Sequence, residues 1–242
     1  QMLNKKDFYI NGKWVKALEP RNYKVIDPSN EETCAEISLG GKKDIDVAVG
    51  AAKKAFETWA FSEKEERLEL LEKLYVVYKK RWAEMAKLIS LEMGAPMKFS
   101  TEMQAATGAS HIKSFKNILK DFKFEKDLGE EKNNQKLLYE PKGVCALITP
   151  WNWPINQVNL KVIPALASAC TVVLKPSEVA PLSSMLLAEM IDEVKFPPGV
   201  FNLVNGDGAI TGDALTSHPD IDMISFTGST RAGALISQNA AK

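Results

Sequence analysis

Residues 143–178 read GVCALITPWNWPINQVNLKVIPALASACTVVLKPSE, and this stretch decides the fold. Residues 143–150 open with an unbroken apolar run, as a strand covered on both faces does. Residues 159–169 read as a helix, and 171–177 as a second strand of the same buried kind. The pattern then repeats: helix 181–194, strand 199–204, helix 209–217, strand 221–229 and helix 230–242. Strand and helix alternate four times with short connections. Such alternation predicts parallel strands joined by right-handed crossovers, a doubly wound α/β sheet. Ligands of these sheets bind just beyond the carboxyl ends of the strands. The candidate site is therefore the set of loops after Ile148, Leu174, Val204 and Phe226.

Upstream, the first forty residues read as short strands. Asn11-Gly12 between apolar-rich flanks signals a two-residue hairpin, and Asp27-Pro28 signals a turn. Helices follow. One covers 44–59. Ser62 and Glu65 have capping-box spacing, and Leu68 to Leu88 forms one apolar stripe stopped at Gly94-Ala95-Pro96. A third runs over 101–122. Residues 121–140 are charged, have no helical period and carry turn residues at Gly129 and Asn133-Asn134. They predict an exposed hairpin or arm.

Composition narrows the function classes. Lys and Arg number 31, Asp and Glu 31, so the formal charge is zero. Nothing electrostatic calls for nucleic acid or an anionic membrane. No apolar run is long enough to span a bilayer, and the start lacks a signal-peptide core. The expected setting is cytoplasmic. Cys34, Cys145 and Cys170 are an odd count with wide spacing, and His111 and His218 lie far apart, so no metal site is expected.

The four loops carry distinctive chemistry. In Thr149-Pro150-Trp151-Asn152-Trp153-Pro154 two prolines stiffen the backbone around an amide. Asn152 either aims its N–H at a developing oxyanion or caps the next helix. Lys175-Pro176-Ser177-Glu178 offers a cation for oxygen atoms and a carboxylate for a ribose diol, or is a solvated loop. The glycines of 205–212 let backbone approach a ligand, but their spacing is not the Gly-x-Gly-x-x-Gly fingerprint. Phe226-Thr227-Gly228-Ser229 opens a helix, either as an anion site or as an ordinary N-cap. Four consecutive loops of this kind weigh more than any one.

With these residues in order, the chain resembles the aldehyde dehydrogenase superfamily. The carriers are PWNWP, LKPSE, FPPGVFNLVNGDG and FTGSTRAG, with YINGKWV, DIDVAVGAAKKAF and LEMGAP upstream. The resemblance implies a Rossmann-like cofactor-binding half with amino-terminal strands and helices over 1–120, an oligomerisation hairpin over 121–146 and the cofactor region over 147–242. It implies NAD as cofactor, with NADP admitted, and a small-molecule aldehyde oxidised to an acid through a thiohemiacetal on a cysteine. Asn152 takes the oxyanion role. Ile148, Thr149, Pro150, Trp151 and Asn152 line the strand end under the cofactor, and Lys175, Ser177 and Glu178 its adenosine ribose. Gly208 and Gly212 lie near the adenine, and Phe226, Thr227, Gly228 and Ser229 near pyrophosphate and nicotinamide. Trp153 and Gln157 fall near the substrate tunnel or in the core. A homodimer or homotetramer is expected.

Two departures stand out. Ala169-Cys170 and Val194-Lys195 replace pairs in which the family has a glycine, leaving the shape of both turns open. Neither Cys145 nor Cys170 has the surroundings of the family's nucleophile, and neither the nucleophile motif nor the base Glu motif is present. The 242 residues alone are thus expected to be inactive and to belong to a longer enzyme. The alternative is a non-catalytic nucleotide-binding fragment or pseudo-enzyme.

Overall fold

The computed structural model describes residues 2–129 and 135–242. Five strands come first: β1 (Leu3–Lys5), β2 (Asp7–Ile10), β3 (Lys13–Lys16), β4 (Arg21–Asp27) and β5 (Glu32–Leu39). Helices α1 (Lys42–Trp59), α2 (Lys64–Lys80), α3 (Trp82–Met93), α4 (Met97–Phe99) and α5 (Ala105–Asp121) follow. β6 (Glu125–Asp127) and β7 (Lys136–Leu138) form an exposed antiparallel pair. Then strand and helix alternate as expected: β8 (Val144–Ile148), α6 (Pro154–Ala167), β9 (Thr171–Lys175), α7 (Leu182–Val194), β10 (Phe201–Leu203), α8 (Asp213–Thr216), β11 (Met223–Phe226) and α9 (Thr230–Ala240).

The main sheet runs β11-β8-β9-β10-β2-β3. β11, β8, β9 and β10 are parallel, and the β2–β3 hairpin adds antiparallel to β10. From β8 the chain steps outward to β9 and β10, then returns past β8 to lay down β11. The strand order reverses between β8 and β11, which opens a crevice at their carboxyl ends. Both sheet faces are covered. Cys145, Leu147, Val172 and Leu174 join the core beneath α5, α6 and α7. Their alternates Val144, Ala146, Ile148 and Val173 pack with Ile45 and Val49 of α1 and Leu215 of α8. Period-two alternation between two cores is why these strands read as continuously apolar.

The Asn11-Gly12 turn has φ of 53° and 72°, the left-handed pair a two-residue hairpin needs. Gly94 ends α3 with φ of 75°.

Other expectations need correction. The apolar stripe of 68–88 is not one helix: it divides at Arg81, whose φ and ψ are −101° and 16°. The Arg81 guanidinium pairs with Glu84 and with Glu189 on α7, both at 2.7 Å, which turns the chain toward α7. The Ser62–Glu65 capping box does not form. Ser62 Oγ donates to the Trp59 carbonyl at 2.6 Å and accepts from Arg67 at 3.0 Å. Helix α6 starts at Pro154, five residues before the expected start, because proline is well suited to a first helical position. The expected boundary between 146 and 147 cuts β8, and β2–β3 belongs to the same sheet as β8–β11. β8 starts at Val144, directly after the buried Gly143. The expected turn at Asn133-Asn134 lies outside the described residues.

Both departure turns keep the left-handed residue. Ala169 has φ of 63° and Lys195 of 66°. Ala169 closes α6 while Cys170 donates back to the Ala165 carbonyl at 2.9 Å. A left-handed conformation costs an L-residue about 1–2 kcal/mol, and glycine's extra chain entropy returns about half of that. Ala169→Gly is expected to stabilise the protein by about 0.5–1 kcal/mol. Urea denaturation checks this; an unchanged or lowered midpoint would show that the turn carries no strain.

Candidate functional site

The crevice at the reversal between β8 and β11 has a volume of about 660 Å³, within the range of small-molecule sites. Its wall contains Ile148, Thr149 and Pro150 from the end of β8, and Lys175, Ser177 and Glu178 after β9. Gly208 and Gly212 come from the turn after β10, and Phe226, Thr227, Gly228 and Ser229 from the end of β11. All expected cofactor residues therefore meet at one place except Trp151 and Asn152. Those two follow Pro150 out of the wall and are exposed.

Each wall element has a local cause. Lys175 ends a buried strand and is only 4% exposed. Its Nζ donates to the carbonyls of Gly206 at 2.7 Å and Pro176 at 3.1 Å and lies 4.0 Å from Glu178 Oε2. Burial pulls its pKa down, while Glu178 and Asp207 hold the ammonium form in place. The residues 208–212 form one wide helical turn. Asp207 opens it by accepting from the N–H groups of Ile210 at 2.9 Å and Thr211 at 3.3 Å. A side chain at Gly208 would meet no other atom within 4 Å, so the backbone there stands open. At Gly228 an added Cβ would lie 2.4 Å from the Phe226 ring, which folds over it. Ser229 caps α9 by accepting from Ala232 N at 3.2 Å. The N-cap reading thus holds for its side chain, while the N–H groups of Thr230 and Arg231 remain outside the helix ladder. Thr149 Oγ1 is buried without a hydrogen-bond partner among the described residues, a polar atom in the wall left for a ligand.

Asn152 does not cap the next helix. The α6 cap position is Trp153, and it makes no side-chain cap bond. Trp153 is half-buried and packs edge-on against the exposed Phe99, 5.5 Å between centroids. Cys34, Cys145 and Cys170 are absent from the crevice wall, and Cys145 and Cys170 are buried. The two buried thiols act on each other: the Cys170 sulfur and then burial push the Cys145 thiol far up, and Cys145 pulls the Cys170 thiol down to about 5.

Sequence reasoning missed the far wall. Arg231, Ala232, Leu235, Ile236 and Asn239 line the crevice from one face of α9. Their spacing of three and four was visible, but their orientation depends on where β11 sits. Arg21 was also missed; it binds the turn at Asp207 from the other end of the chain.

Fold and crevice together define a doubly wound α/β protein of the dinucleotide-binding architecture. The family model for the aldehyde dehydrogenase family matches residues 14–242, and the chain belongs to that family. It is 49% identical over 241 residues to 3-succinoylsemialdehyde-pyridine dehydrogenase of a Pseudomonas species, covering 99% of this chain and 50% of the relative. The crystal structure of an aldehyde dehydrogenase from Bartonella henselae matches with TM-score 0.96 and 58% identity over 99% of this chain and 50% of that one. Aldehyde dehydrogenase C of Pseudomonas syringae, solved in a mutant form with NAD+ and octanal, matches with TM-score 0.94 and 45% identity, covering 98% of this chain and 48% of that one. The chain spans about half the length of these relatives.

Proposed function

We propose that this chain holds NAD in the crevice and serves the NAD-dependent oxidation of an aldehyde to a carboxylic acid. The observation that carries the reading is the crevice itself, where the ends of four strands bring together a buried Lys, a carboxylate, open glycine backbone and a helix start. Lys175 and Glu178 take the adenosine ribose, Lys by donating to its oxygens and Glu by accepting from its hydroxyls. A phosphate on that ribose would face the Glu178 carboxylate, which favours NAD over NADP. Gly208 and Gly212 leave room for the adenine side. Phe226, Thr227, Gly228 and Ser229, with the exposed N–H groups that open α9, take the pyrophosphate side. Ile148, Thr149, Pro150 and Trp151 support the nicotinamide end. NAD, when bound, supplies the hydride acceptor.

Asn152 is the catalytic group among these residues. Its amide N–H donates to the oxyanion that forms on the substrate carbonyl. Its exposure beside Pro150 and the absence of a side-chain helix cap support this role. None of the three cysteines lies in the crevice wall, so the 242 residues by themselves grip the cofactor and do not turn over aldehyde. The β6–β7 hairpin exposes Leu128, Leu137, Leu138 and Tyr139, and supports a homodimer or homotetramer joined through it.

Calorimetric titration of the intact protein with NAD, NADP and AMP tests the reading. NAD and AMP are expected to bind, and NADP at least about tenfold more weakly, a difference of about 1.4 kcal/mol. Glu178→Gln is expected to narrow the gap. No binding of NAD or AMP would overturn the proposal.

A further inference from the structure

The Gly208–Gly212 turn is held by a cation from the start of the chain. Arg21, the first residue of β4, places its guanidinium against three groups. Nη1 donates to Asp207 Oδ2 at 2.5 Å. Nη2 donates to the Gly40 carbonyl at 3.0 Å and to Thr211 Oγ1 at 3.3 Å. Thr211 Oγ1 in turn donates to the same Gly40 carbonyl at 2.5 Å. Gly40 N donates to the Asn205 carbonyl at 2.8 Å, just before the turn. Both oxygens of Asp207 are engaged: Oδ2 faces Arg21, and Oδ1 accepts from Ile210 and Thr211. Arg21 and these two N–H donors hold the Asp207 carboxyl below its ordinary range against the burial that raises it.

The network sits behind the crevice and not in it. Arg21, Asp207 and Gly40 are absent from the wall, while Gly208 and Gly212 belong to it. Gly212 N donates to the Asp207 carbonyl at 2.9 Å, so Asp207 fixes both ends of the turn. A side chain at Gly206 would lie 2.0 Å from Thr211 Oγ1, so the loop folds tightly onto the clamped threonine. A planar guanidinium that reaches two side chains and a carbonyl fixes relative geometry in a way a single ammonium does not.

We propose that Arg21 is a positioning residue for the adenosine end of the dinucleotide: through Asp207, Thr211 and Gly40 it sets the backbone of Gly208–Gly212 against which that end rests. The inference rests on the NAD reading above. It predicts a split between the two ends of the cofactor. A positioning role weakens binding of NAD and of AMP, the adenosine half, and leaves nicotinamide mononucleotide unaffected. A merely structural role would weaken all three together, in step with stability.

The test measures the three affinities and the melting temperature on the intact protein for wild type, Arg21→Gln, Arg21→Lys and Asp207→Asn. Asp207→Asn keeps one oxygen for Ile210 and Thr211, removes the charge and decides the matter should Arg21→Gln fail to fold. The expected result is a roughly tenfold rise in Kd for NAD and AMP in Arg21→Gln and in Asp207→Asn, the fold-change that about 1.4 kcal/mol gives, with nicotinamide mononucleotide within twofold of wild type. Arg21→Lys is expected to recover part of the loss. AMP affinity within twofold of wild type in both uncharged variants would overturn the positioning role. So would equal weakening of all three ligands. Wild type that binds neither NAD nor AMP would instead remove the cofactor reading, which keeps the two failures distinct.

Discussion

Lys175→Met is expected to weaken NAD binding by about 10- to 100-fold while the protein still folds. The lysine is the most buried charge in the crevice wall, at 4% exposure. Methionine fills nearly the same space with an apolar chain, so the wall keeps its shape. What disappears is a charge-assisted donor, worth about 1.5–3 kcal/mol when its partner has no other. Two carbonyls, of Gly206 and Pro176, also lose their donor. Both belong to buried residues, so the loss costs stability as well as ligand grip. Titration calorimetry with NAD, beside urea denaturation, separates the two. An unchanged Kd would show that the ammonium serves only the Gly206 loop.

The second large effect belongs to Glu92. It is 2% exposed and lies beneath the start of α7. Its carboxyl accepts from the N–H groups of Leu182 and of Ser183, the latter at 3.1 Å. Burial pushes its pKa up to about 7, and these donors keep it from rising further. The sign of the pH effect follows. Between its ordinary value of 4.5 and about 7 the folded protein holds a proton that the unfolded chain releases. The stability from this group is complete below the lower value and is lost as pH rises toward the upper one, by about 3 kcal/mol in all at roughly 1.4 kcal/mol per pKa unit. Glu92→Gln, which cannot ionise, is expected to flatten that slope and to be the more stable form at pH about 8, above both values. Glu92→Ala leaves two buried donors without acceptors and is expected to cost about 3 kcal/mol or more at pH below 4.5, a cost that shrinks as pH rises and wild type loses its own contribution. Denaturation series across that range in wild type and both variants check this. Parallel wild-type and Glu92→Gln curves would show that Glu92 is not the titrating group.

The carboxyl-terminal half of this fold was legible because its signals are local. Val144–Ile148 and Thr171–Lys175 are buried on both faces, so their apolar runs needed no knowledge of partners. The loops that follow carry Lys175, Glu178 and Phe226 to Ser229, and the topology gathers them into one crevice. What could not be read depends on distant contacts. The apolar stripe through Arg81 continues without a break, and only Glu189, 108 residues on, explains the turn there. Ser62 had a capping partner in sequence but is taken by Arg67. Arg21 lies 186 residues from Asp207. The choice between cap and free amide at Asn152 was open in sequence and turned on where α6 begins.

The hairpin added to the sheet edge has a consequence in time. β2 is made near the start of synthesis, yet its partner β10 lies far down the chain. Asn11 N donates to Asn202 Oδ1 across 191 residues at 2.9 Å. At roughly 5–20 residues per second, the hairpin waits about 10–40 s for the strand it joins. During that wait Phe8, fully buried in the finished core, has no sheet to cover it. β10 must form before the first residues find their place, so slow synthesis or an early stop leaves this edge open to wrong pairing.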